Sequence, residues 1–110
     1  MKRTDVNNFS GPLVSRNGNF SVFSDNYLDT LLLNKIIVLP LQSIRGNIEN
    51  TIGRDQVILI LSGLGSMEVN GTSLTFKQGD IISIKSTERY SIRNDALDSV
   101  IQFVSVLEKK

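Results

Sequence analysis

The chain has 110 residues, 40% of them hydrophobic, a formal net charge of +1, and neither cysteine nor histidine. That length suits one domain with one core. The missing cysteines exclude disulfides, thiolate nucleophiles and zinc–sulfur sites, and the missing histidines exclude Ser-His-Asp machinery and histidine-based metal triads.

The N-terminal stretch MKRTDVNNFSG is basic and polar with no apolar run behind it, so no secretory signal is expected. The longest apolar runs, Ile36 to Leu39 and Val57 to Leu61, fall far short of the roughly 20 residues a membrane helix needs. No membrane association and a cytoplasmic location are the resulting expectations. Basic residues are scattered rather than gathered into a stripe, so no nucleic-acid partner is expected.

In chain order, residues 1–12 read as an irregular N-terminal arm ending at Ser10-Gly11-Pro12, and residues 13–110 as a single domain. Leu13 to Ser15 and Phe20 to Phe23 read as short strands around Asn17-Gly18. Ser24-Asp25-Asn26 offers a helix N-cap before YLDTLLL, which predicts a helical turn. A strand follows from Lys35 to Leu39, ended by Pro40. Gln56 to Leu61 is β-branched and apolar, bounded by Ser62-Gly63. Ser66 to Val69 and Ser73 to Phe76 flank Asn70-Gly71, the strongest short-range signal for a two-residue hairpin turn. Asn70-Gly71-Thr72 is formally a glycosylation acceptor, but the hairpin turn is the reading adopted. The turn Lys77-Gln78-Gly79-Asp80 leads into Ile81 to Ile84, and Tyr90 to Arg93 and Val100 to Leu107 complete the series. Short strands at this spacing predict an all-β sandwich or barrel.

The stretch from Gly63 to Asn94 resembles the cupin superfamily. Gly79 and Asn94 stand at the separation of the glycine and asparagine that frame the second cupin motif, with GDIISI following the glycine. Inside that frame Lys85 replaces a proline, Thr87 a glycine and Tyr90 the metal-binding histidine. Gly63 matches the glycine closing the first motif, and Gln56 stands at its acidic ligand position. The two upstream histidine positions fall on Glu49 and Thr51, or on Asn50 and Ile52. The run SIRGNIEN (Ser43 to Asn50) is also similar to cupins that act on nucleotide-linked deoxysugars, and that register puts Ile48 and Asn50 there. All three registers stay open, and none supplies a metal ligand set.

The resemblance implies a cupin-type double-stranded β-helix, a jelly-roll barrel, whose motif positions point into the lumen. Gln56 and Tyr90 would then face each other, with Ile58, Ile60 and Ile92 as neighbours by strand alternation. Arg45, Asn47 and Glu49 join Gln56 and Tyr90 as candidate ligand-binding residues, and Tyr90 is the one weak catalytic candidate. Alternation turns Arg89 and Arg93 outward, and Lys85 is expected in solvent at a strand end. No metal and no cofactor are expected.

Three functions fit this reading. The first is a metal-free cupin that binds a small polar ligand, sugar-like or an organic acid, or a protein partner without catalysis. It would be a homodimer, since the resemblance implies dimers and Phe20, Phe23, Leu28 and Leu31 to Leu33 give the first third an apolar excess. The second is a metal-independent isomerase or epimerase on a sugar or nucleotide sugar, with Tyr90 as base. Its ordinary pKa near 10 makes tyrosine poor in that role. The third is a degenerate cupin kept as scaffold or subunit, its lumen filled by side chains.

Overall fold

Alternating apolar residues with the period of a pleated strand dominate the structure, a computed structural model that describes residues 5, 13–16, 18, 20–28, 30–45 and 54–108. Ten strands run through these residues. They are β1 (Leu13–Arg16), β2 (Phe20–Leu28), β3 (Leu31–Val38), β4 (Ser43–Arg45) and β5 (Gln56–Ser62), then β6 (Gly65–Val69), β7 (Thr72–Phe76), β8 (Ile81–Ile84), β9 (Tyr90–Arg93) and β10 (Ile101–Glu108). They form a six-stranded sheet in the order β1-β2-β3-β10-β5-β8 and a four-stranded sheet in the order β4-β9-β6-β7. This is the all-β, double-stranded β-helix architecture expected from the sequence.

The two sheets share one core. On β5, Gln56, Ile58 and Ile60 are buried while Val57 and Leu59 are exposed, so every second residue faces inward. Ile36 and Phe103 from the larger sheet meet Ile44, Met67 and Ile92 from the smaller one in a single cluster. Each such side chain contributes about 1.5–3 kcal/mol by leaving water. Strand β10 is central: it pairs with β3 from Ile101↔Val38 to Glu108↔Leu31 and with β5 from Phe103↔Ile60 to Leu107↔Gln56.

Most strands from residue 56 onward match their expected bounds within a residue. The Asn70-Gly71 turn is as read, with φ of 48° and 83° at its two residues and Val69 paired to Thr72. Two positive φ values in succession are what a right-twisted hairpin requires. Gly63 also needs to be glycine: its φ is +96°, and a Cβ there would come within 2.8 Å of the Val100 carbonyl.

The expected helical turn after Ser24-Asp25-Asn26 is not formed. Strand β2 continues through those residues to Leu28, and β3 starts at Leu31, the two pairing from Phe20↔Val38 to Leu28↔Leu31. The physical reason is the partner on the far side. Strand β3 is held by β10 along all eight residues, and its free edge takes β2 residue by residue, which outweighs a local capping preference. Among the described residues no helix is long and apolar enough to cross a membrane.

At the end of the barrel where β3 stops, Asn94 fastens three chain segments. Its buried side-chain nitrogen lies 3.2 Å from the carbonyls of Val38 and Leu39 and 2.9 Å from that of Ser99, while its oxygen accepts from the Ala96 amide at 3.0 Å. Its own amide donates to Gln42 at 2.9 Å. The motif asparagine therefore works as a strut. In the adjoining turn Leu41 holds a φ of 61°, a conformation that favours glycine.

Candidate functional site

The inner face of the larger sheet is built in tiers. From the Asn94 end, the first tiers are apolar: Val38 pairs with Ile101, and Ile36 with Phe103, which pairs in turn with Ile60. The next tier is polar across three strands, because Ser24 pairs with Asn34 and Asn34 with Ser105. All three are buried, Asn34 and Ser105 completely. The last tier brings Gln56 beside this row, at the start of β5. The Ser105 hydroxyl donates to Gln56 Oε1 at 2.7 Å.

Gln56 is 4% exposed and makes that one hydrogen bond among the described residues. Its side-chain nitrogen, with two N–H groups, thus has no protein acceptor there. Gln56 also borders an open groove of about 460 Å³ at this end of the larger sheet, but most of the groove's side chains, Leu31, Val57, Ser83, Val106 and Glu108, belong to the sheet's outer face, opposite the face that carries the Gln56 side chain. Asp55 also borders the groove, but its Oδ1 accepts from the Ser86 amide at 2.7 Å and so ties the turn after β8 to the start of β5. The Lys85 side chain is exposed, as expected, and its backbone amide is capped by Glu88 Oε1 at 2.8 Å.

The other candidates are distributed differently. Tyr90, at the start of β9 in the opposite sheet, is 4% exposed and belongs to the apolar cluster. Ile58, Ile60 and Ile92 are buried in the same interior. Gln56 bonds to Ser105 on its own sheet, not to Tyr90. Arg45 ends β4, paired with Ser91, next to the buried Ile44. Arg89 and Arg93 are exposed, and Arg93 Nε pairs with Asp95 Oδ1 at 2.7 Å on the surface. Asn47 and Glu49, with the alternative positions Ile48, Asn50, Thr51 and Ile52, lie outside the described residues. Sequence reasoning missed Ser24, Asn34 and Ser105. The only trace they leave is a polar residue interrupting each apolar strand.

The described donors do not by themselves make up a metal centre. The oxygen of Gln56 is a neutral amide already taken by Ser105, and Tyr90 is set among apolar side chains. Among the described residues no three or more His, Cys, Asp or Glu come together. Hard cations need several oxygen ligands, and the described residues do not gather a set of acidic ones.

No protein-family model and no curated protein matches this sequence. Solved structures do match it in fold. The chain is similar to an uncharacterized conserved protein with a double-stranded β-helix domain from Klebsiella pneumoniae, at TM-score 0.75 and 19% identity over 98% of this chain and 90% of that one. It is similar to the polyketide cyclase RemF from Streptomyces resistomycificus, at TM-score 0.75 and 18% identity over 100% of this chain and 80% of that one. It is likewise similar to the cupin domain of Schizosaccharomyces pombe Cnp3, at TM-score 0.72 and 14% identity over 92% of this chain and 70% of that one. The chain has the cupin fold. An enzyme is among these neighbours, and at such identities the likeness carries the fold and no activity.

Proposed function

We propose that this protein is a metal-free binding protein of the cupin fold, taking a small ligand at the mouth of its barrel and performing no chemistry on it. The observation that carries this is the inward-facing Gln56 amide at the end of the barrel interior, whose nitrogen has no acceptor among the described residues. The interior behind it is closed by Ile36, Ile58, Ile60, Met67, Ile92 and Phe103, each at most 1% exposed, so the ligand belongs at the mouth rather than deep in the lumen. Tyr90, the one candidate base, is packed among those side chains rather than presented to a substrate. The test is a thermal-shift screen of the full chain with organic acids, sugars and sugar nucleotides. A ligand that binds the native state raises the melting temperature, and no conversion of that ligand is expected. Turnover of a sugar nucleotide that Tyr90→Phe abolishes would sink this reading.

The protein partner in this reading is a second copy. The outer face of the larger sheet carries Val57, Leu59, Ile81 and Val106, exposed by 46%, 39%, 71% and 37%. The outer face of the smaller sheet instead carries Ser66, Glu68, Ser73, Thr75 and Ser91. Phe20 packs against the core, so part of the apolar excess of the first third is used inside the barrel. The sheet's six strands, about 4.8 Å apart and averaging about 22 Å in length, offer about 600 Å² per copy, so a self-paired face buries about 1,200 Å², enough for a specific interface. Light scattering at micromolar concentration is expected to give a dimer that Leu59→Lys splits, and a monomeric native chain would remove this part of the proposal.

A further inference from the structure

A second set of exposed apolar side chains lies at the Asn94 end of the barrel. Leu39, Leu41, Leu64 and Leu97 are exposed there by 37%, 60%, 69% and 80%. Ala96 joins them. Its carbonyl accepts from the Leu41 amide at 3.1 Å, Leu97 follows it in the chain, and it borders an open groove together with Leu64. The backbone beneath is fixed, because the Asn94 side chain holds the carbonyls of Leu39 and Ser99 and the amide of Ala96. Leu41 is the informative member. Its φ of 61° is one that glycine takes freely and a leucine takes at a cost, and its exposed side chain gives little back to this chain's own stability. Backbone strain of that kind gathers at functional positions. Together the four leucines expose a few hundred Å², the size at which an apolar patch on one chain is often a binding surface.

The rim of this patch is acidic on balance. Asp80 and Asp95 border the groove and Asp98 follows Leu97, against Lys77 in the same groove and Arg93, whose Nε is taken by Asp95 Oδ1 at 2.7 Å. Asp80 Oδ2 accepts the Lys77 amide at 2.9 Å, which leaves its other oxygen to a partner. A few hundred Å² falls short of the roughly 800 Å² per partner of a standard interface, so the patch is too small to hold a globular partner or another copy by itself. An acidic rim is repelled by an anionic bilayer. What remains is a short segment of opposite charge. We propose that the Asn94 end docks a peptide segment whose apolar side chains cover Leu41, Leu64 and Leu97 and whose lysines or arginines meet Asp80 and Asp98. This surface is separate from Gln56 and from the outer face of the larger sheet, and it stands or falls without them.

The experiment titrates the full ¹⁵N-labelled chain with a capped synthetic peptide, KLSLSLK, and with two controls, ELSLSLE and KSSSSSK. The first is expected to shift the backbone amides of Leu41, Leu64 and Leu97. Reversing its charge is expected to weaken binding about tenfold, and KSSSSSK is expected to leave those amides unmoved. Leu64→Ser combined with Leu97→Ser, both at exposed positions, is expected to weaken KLSLSLK at least about tenfold. Leu41→Gly is expected to weaken it as well while raising the midpoint of urea denaturation, a pair of opposite changes that a purely structural leucine would not give. If the double variant fails to fold, the shifts in the native chain still decide. Equal binding of ELSLSLE overturns the proposal, as do shifts confined to other parts of the barrel or none at all. Shifts of the same amides with protein concentration alone would assign the patch to a second copy and overturn it. So would co-sedimentation with phosphatidylcholine–phosphatidylglycerol vesicles that the double variant loses, which would assign it to a lipid surface.

Discussion

The two ends of the barrel interior are made from the same strands and differ in what those strands point inward. At the Asn94 end, Val22, Ile36, Val38, Ile60, Ile101 and Phe103 interlock, all at most 1% exposed. Two tiers away the same face of β2, β3 and β10 carries Ser24, Asn34 and Ser105, and β5 adds Gln56. An apolar tier stabilises by area and tolerates no vacancy. A polar tier contributes little net stability per hydrogen bond, but it fixes the direction of the groups it holds. The difference separates an apolar end that maintains the fold from a far end where an inward amide donor has no acceptor among the described residues.

The comparison can be broken most forcefully at the apolar end. Phe103→Ala is expected to cost about 3–5 kcal/mol in urea denaturation with an unchanged slope, because it opens a cavity between tightly packed tiers. A loss under about 1 kcal/mol would show that this end is loosely packed. Asn94→Ala leaves the buried carbonyl of Val38 and the part-buried carbonyl of Ser99 without this donor and is expected to cost about 2 kcal/mol. Ligand binding at the far end should be untouched by it, and a parallel loss of binding would join the two ends into one unit. Ser105→Ala sharpens the contrast from the other side. It is expected to cost about 1 kcal/mol, and a double-mutant cycle with Gln56→Met should show coupling of about 0.5–1 kcal/mol. Additive single effects would mean the 2.7 Å bond does not hold Gln56 in place. The smallest effect is expected at Leu41. Leu41→Gly relieves a left-handed conformation in an exposed turn and is expected to stabilise by about 0.5 kcal/mol in urea denaturation, and a destabilised variant would show that the turn holds Leu41 without strain.

The strand frame and the buried polar row were unequally legible in the sequence. The frame is signalled by local pattern: alternation in Gln56 to Leu61, the Asn70-Gly71 turn and the spacing of Gly63, Gly79 and Asn94. The hairpin of β2 and β3 was hidden, because a Ser-Asp-Asn cap and a leucine run carry helical preference until β10 supplies the opposite edge. Gln56 was legible as an inward-facing polar residue, but its partner was not. Ser105 lies far along the chain from it, and only sheet register brings the two together. Ser24 and Asn34 each look like a mild interruption of an apolar strand, and nothing local shows that they align in one row.

Strand β10 has a consequence for how the molecule is made. It is the middle of the larger sheet, yet its partner β3 precedes it by roughly seventy residues, so the central pairing is among the least local contacts a chain of this size can form. A ribosome delivering this polypeptide exposes the leucines of β3 well before the strand that completes the sheet is synthesised. Folding is therefore expected to be slow, since the larger sheet cannot close until β10 has joined β3. Deletion of β10 should leave an insoluble remnant rather than a smaller barrel.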